Sequence, residues 1–90
     1  MLKVEYHSKF KKDFQRVLKR GLDPEKLHEV IMILSNEHPL PDKYKDHSLE
    51  GNYKGYRECH IQPDWLLIYK IDKDRLVLVA ARTGTHSDLF

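Results

Sequence analysis

A chain of 90 residues and 10.7 kDa amounts to one folding unit, 1–90, with nothing over for a second. Its 40% hydrophobic and 33% charged content suits a folded domain and not a disordered tail, and a single cysteine, Cys59, excludes an internally disulfide-stapled secreted fold. The net charge of +2 does not announce a nucleic-acid binder, and no stretch nears the roughly 20 apolar residues of a membrane span or forms a signal core, so a cytoplasmic protein without membrane contact is expected.

Residues 2–6, Leu-Lys-Val-Glu-Tyr, alternate as a half-buried strand does, with Leu2, Val4 and Tyr6 on one face. From Ser8, a good cap, Phe10, Phe14, Val17 and Leu18 recur at helical spacing until Gly21. The basic run Lys9, Lys11, Lys12, Arg16, Lys19 and Arg20 lies on this helix, as its wet face or as a nucleic-acid patch. Asp23 and Pro24 then open a second helix with the stripe Leu27, Val30, Ile31 and Leu34, and the short joint between the two makes an antiparallel hairpin.

Pro39 and Pro41 stop that helix, and 36–52 reads as a polar connection of the length that is usually functional or mobile. Three strand-like runs follow, 53–61, 65–71 and 75–81, joined by Gln62-Pro63-Asp64 and Asp72-Lys73-Asp74. The order of strand, two helices, three-stranded antiparallel meander and short C-terminal tail predicts an α+β fold with helices on one sheet face.

Six histidines matter less by number than by place. His47 lies in the long connection, His60 at a strand end and His86 beyond the last strand, and a meander can bring such positions to one sheet edge, with Asp64 near His60 across the turn. Histidine titrates near neutrality, so a set of imidazoles can hold a base and an acid at one pH. In-line RNA cleavage needs that pair: the 2′-hydroxyl loses a proton, the phosphorane charge is neutralised and the 5′-oxygen gains a proton. A nearby carboxylate, Asp64, would fix one imidazole's tautomer and favour its charged form. No metal is demanded, and the spacing disfavours one, since there is no His-x-x-x-His or Cys-x-x-Cys pair and Cys59 points away from His60 on a strand. Cys59 also lacks an activating context for nucleophilic work. Trp65 is core or a base platform; Phe90 is a terminal ring that either stacks on a base or, with Leu89, pins the tail; Arg82 and Lys54 are candidate phosphate contacts, although Arg82 could instead brace the tail.

Three segments in order, Asp46-His47-Ser48-Leu49, then the run from Gly51 through Tyr56-Arg57-Glu58-Cys59-His60 and Pro63-Asp64-Trp65 to Tyr69, then Arg82-Thr83-Gly84-Thr85-His86-Ser87-Asp88-Leu89-Phe90, resemble the YafQ branch of the RelE/ParE toxin superfamily over essentially the whole chain. The resemblance implies the compact RelE-like fold and a type II toxin that enters the ribosomal A site and cuts mRNA without metal. Position by position it implies proton abstraction and substrate placement at His47, His60 and Asp64, leaving-group protonation or phosphate stabilisation at His86, and base stacking at Phe90. It further implies a cognate antitoxin of the DinJ/RelB kind, with operator DNA met only through the antitoxin complex. ParE-type relatives act on gyrase instead; a gyrase poison or a non-catalytic binding module is the alternative, and the histidine set favours RNA cleavage.

Overall fold

A computed structural model describes residues Met1–Phe90. The elements in chain order are β1 (Lys3–Tyr6), α1 (Ser8–Lys19), α2 (Pro24–Ser35), β2 (His47–Ser48), β3 (Arg57–Gln62), β4 (Trp65–Asp72), β5 (Val77–Gly84) and α3 (His86–Leu89), with single 3₁₀ turns at Asp42–Tyr44 and Gly51–Tyr53. The strands make one sheet in the order β1-β5-β4-β3-β2, with β1 parallel to β5 and every other pair antiparallel. The α+β layout expected from the hydrophobic periods is therefore present, with β1 returned to the far edge of the meander by the helical hairpin.

Period-2 alternation gives the sheet two unlike faces. One packs under α1 and α2: Phe10, Val17, Leu27, Val30, Ile31 and Leu34 bury against Cys59, Ile61, Trp65, Leu67, Tyr69, Leu78 and Ala80. Side chains of this kind are worth roughly 1.5–3 kcal/mol each when buried. The other face carries a small apolar cluster, Leu66, Ile68, Ala81 and Leu89, with Leu49, Tyr53 and Tyr56 packed against it, and no long helix covers it.

Four boundaries differ from expectation. Ser8 is the first helical residue and not the cap; His7 precedes it with extended backbone and no side-chain cap bond. The third strand starts at Arg57, because the chain from Gly51 to Gly55 is used in a 3₁₀ turn and a positive-φ glycine, Gly55. Arg75 sits in the β4–β5 turn, where Asp72 Oδ1 accepts from the backbone N–H of Asp74 and Arg75, so β5 begins at Val77 and runs on to Gly84. The polar Arg82-Thr83 read as tail because their partners are distant in sequence: Thr83 Oγ1 donates to the Leu66 carbonyl at 2.7 Å and accepts from Trp65 Nε1 at 3.0 Å. The tail itself is a one-turn helix, α3, closed by a capping box between Thr85 and Asp88.

Candidate active site

The site builds up on the open face of the sheet. Residues 58 and 60 are two apart on β3, so Glu58 and His60 share a face. The two-residue strand β2 sets His47 directly opposite Glu58 in the antiparallel register. Just before it, Asp46 is fixed by the Tyr69 hydroxyl at 2.8 Å and Arg57 Nε at 3.2 Å; burial, then Asp46, pushes the Tyr69 hydroxyl well above its ordinary value, so it stays a donor. The long polar connection thus has a defined course that delivers His47. At the far end of β3 the register with β4 shifts between His60 and Gln62, a bulge that re-aims the local side chains.

Glu58 is the hub. Its carboxylate, only 4% exposed, has three imidazoles around it: His47 Nε2 at 3.5 Å, His60 Nε2 at 3.8 Å and His86 Nε2 at 4.0 Å. The His60 and His86 rings stand edge to face with centroids 5.7 Å apart. Sequence reasoning passed over Glu58, although its place two residues before His60 on a strand is the signal that would have found it.

Asp64 does not meet His60 as expected across the turn; it meets His86. Its Oδ1 accepts from the His86 backbone N–H at 3.0 Å and lies 2.8 Å from His86 Nδ1. The backbone bond first, then the ring, hold Asp64 below the usual carboxylate range. A ring that gives its Nδ1–H to Asp64 turns Nε2 toward the cleft. His47 is oriented in the same way, with Nδ1 3.1 Å from the Ser48 carbonyl and Nε2 toward Glu58.

What seats His86 is the attachment of α3. Asp88 accepts from Arg20 Nη1 at 2.5 Å and from the Thr85 backbone N–H at 2.9 Å, and Arg20 chiefly, then Thr85, hold its carboxyl pKa far below the ordinary carboxylate range. Gly84, at φ +151, lies against it: a Cβ there would stand 2.8 Å from Asp88 Oδ2. Arg16 Nη1 adds a contact to Asp88 at 3.6 Å, so two cations of the basic helix serve to dock the C-terminal turn. Phe90, 64% exposed, leans edge-on against Tyr53 with centroids 5.6 Å apart.

Arg82, a candidate phosphate contact, is committed elsewhere. Asp13, buried on α1, accepts from Arg82 Nε at 2.6 Å and Nη2 at 3.0 Å, and Arg82 Nη1 reaches the Tyr53 hydroxyl at 3.4 Å. Hydrogen bonding to Asp13 chiefly drives the Arg82 guanidinium further up. Asp13 is a second residue that sequence reasoning missed, an acid set between Phe10 and Val17 on the buried side of a basic helix. Trp65 is core, its ring buried, and so carries no base. Cys59 is buried and its thiol is pushed up to about 12, by burial first, which leaves no thiolate to act.

His47, Glu58 and His60 also offer one nitrogen or oxygen ligand atom each within 4.8 Å of one another. Strand pairing assembles this trio without a linear motif, which is why ligand spacing in the chain argued against it.

Comparison with known proteins gives the setting for this geometry. Residues 2–90 match the family model described as bacterial toxin of type II toxin-antitoxin system, YafQ. The chain belongs to that family. It is 47% identical over 88 residues to the mRNA interferase toxin YafQ of Escherichia coli K12, covering 97% of this chain and 94% of that protein. Among solved structures, a metal-bound toxin from Helicobacter pylori superposes with a TM-score of 0.94 at 47% identity over all of both chains. The YafQ chain of the E. coli DinJ–YafQ complex does so with a TM-score of 0.88 at 45% identity over 100% of this chain and 99% of that one.

Proposed function

We propose that this YafQ-family toxin is an mRNA endonuclease that cuts by general acid–base chemistry at the Glu58-centred histidine cluster, on messages held in the ribosomal A site. The observation that carries this reading is the convergence of His47, His60 and His86 on one buried carboxylate, in a chain whose curated relative is an mRNA interferase. His60 takes the 2′-hydroxyl proton as the oxygen attacks phosphorus. His86, its tautomer fixed by Asp64, gives a proton from Nε2 to the 5′-oxygen as the P–O5′ bond breaks, leaving a 2′,3′-cyclic phosphate and a 5′-hydroxyl. His47 steadies the phosphorane charge. Glu58 faces the imidazolium formed when the base captures its proton, so charge moves within a preorganised site. Phe90, the exposed ring at the rim, holds a neighbouring base by stacking, a contact worth about 1–3 kcal/mol.

His47, Glu58 and His60 fit a nitrogen- and oxygen-liking ion, which when bound would supply Lewis-acid polarisation of a phosphoryl oxygen. An ion there also takes up nitrogens that the proton transfers need free. Cutting that persists in EDTA and falls when zinc or copper is added supports the acid–base route; dependence on an added ion overturns it. The relative crystallised with DinJ makes a DinJ-like antitoxin the expected partner, with operator DNA reached through that complex alone. The decisive variant is His60→Ala/His86→Ala assayed on a translated message, for which a loss of about 10²–10⁴-fold is expected. Uncut transcripts in cells arrested by the unaltered toxin would instead point to the binding-module or gyrase alternatives.

A further inference from the structure

Beyond the histidine cluster, at the outer edge of β3 where α2 and the first 3₁₀ turn come up to it, lies a concavity of about 440 Å³ that the mechanism above does not use. Its walls come from α2 (Lys26, Glu29), the 3₁₀ turn (Lys43, Tyr44, Lys45) and the end of β3 (His60 to Gln62, with Pro63). His60 is common to this hollow and to the cluster.

We propose that this hollow is a second RNA subsite, taking the message strand on the side of the scissile phosphodiester away from Phe90; the proposal rests on the nuclease reading and extends it. The first support is charge. Lys26, Lys43 and Lys45 line the hollow against one carboxylate, Glu29, all four side chains belong to exposed residues, and none of the three ammonium groups is taken up in the ion pairs of the molecule, which are made by arginines and histidines. Arg16, Arg20, Arg57, Arg75 and Arg82 are neutralised by acids; these lysines pair with no acid, and although Lys43 Nζ lies 5.1 Å from the centroid of the Tyr44 ring, that contact leaves its charge unneutralised and open to phosphate. The second support is shape. β2 pairs with β3 only as far as Glu58, so the outer edge of β3 beyond it has no strand beside it and the hollow opens there. Volumes of 300–1,000 Å³ suit bound small molecules, nucleotide-sized ones included. The third is continuity. An in-line displacement needs the strand to enter and leave the cleft; Tyr53 and Phe90 flank one way out, and His60 opens on the other.

The test uses the full-length toxin on ribosomes programmed with a defined message, comparing wild type with Lys26→Gln/Lys43→Gln/Lys45→Gln, and confirms equal thermal midpoints. The expected result is a tenfold or greater rise in the toxin concentration needed for half-maximal cutting, with the rate at saturation unchanged. The slope of log affinity against log salt should become shallower by about 0.7 for each phosphate contact removed. On a message truncated on the side that leads into the hollow, wild type and variant should become equal. Equal behaviour on the full message overturns the subsite, as does a difference that survives truncation, which assigns the lysines to ribosomal RNA. RNA cutting that is unchanged while affinity for the cognate antitoxin drops overturns it in favour of an acidic protein segment. Failure of the wild type to cut any message is the separate result that removes the parent reading.

Discussion

Two buried carboxylates, Asp13 in the contact between α1 and β5 and Glu58 among the histidines, are held in different ways. Between α1 and β5, Asp13 is matched by two nitrogens of Arg82 and by the Thr83 backbone N–H, and the result is a clamp that ties the helix to the strand. On the open face, Glu58 is just as buried yet its nearest partners are imidazole nitrogens at 3.5 to 4.0 Å. A carboxylate so loosely held adds little to the fold. The difference separates a structural carboxylate from the one the proposed chemistry uses: short, saturated bonds at the clamp, and long ones in the cluster.

Substitutions should separate the clamp from the cluster. Asp13→Asn leaves the half-buried Arg82 without its counter-charge at a buried position on α1 and is expected to cost about 3 kcal/mol, the low end for breaking a buried pair, read as a lowered denaturant midpoint; a loss under 1 kcal/mol would deny the clamp. Glu58→Gln, close in size, should leave that midpoint unchanged or raised while slowing message cutting by about 100-fold, the general scale for a positioned acid–base group. A variant that unfolds early but cuts normally when folded would reverse the contrast. The smallest effect belongs to Asp88→Asn, about 1 kcal/mol for one capping bond and a half-exposed ion pair.

Its pH dependence has a fixed sign. The folded value of Asp88 lies below the unfolded value of about 3.9, so its contribution is whole above that value and fades as the pH falls toward the folded one. Wild type and Asp88→Asn should therefore differ at pH 7 and converge in acid, as followed by thermal unfolding across pH. A gap that widens in acid would contradict the assignment of Asp88 to Arg20.

Much of the helix-covered face was legible in the sequence, because a stripe such as Leu27, Val30, Ile31 and Leu34 or an alternation such as Leu2, Val4 and Tyr6 carries its own period. The candidate site was legible only in part. His60 and His86 are brought side by side as a meander allows, but the partner of Asp64 depended on α3, a helix of four residues whose existence rests on the Thr85–Asp88 box and on Arg20, 68 positions away. The course of 36–52 could not be foreseen, since a two-residue strand has no period to read and is specified by Asp46 binding Tyr69 and Arg57. Arg82 shows the converse: its type suggested phosphate, and only the buried Asp13 on another element decides its use.

The chemistry itself is tested most directly by the ends it leaves. A message bearing 2′-deoxyribose at the nucleotide before the cut should resist the toxin, and the all-ribose message should yield 5′-hydroxyl and 2′,3′-cyclic phosphate termini in the presence of EDTA. Cleavage of the deoxy-substituted strand, or products carrying a 5′-phosphate, would show that water and not the neighbouring hydroxyl attacks phosphorus, and would contradict acid–base cutting by the Glu58-centred imidazoles.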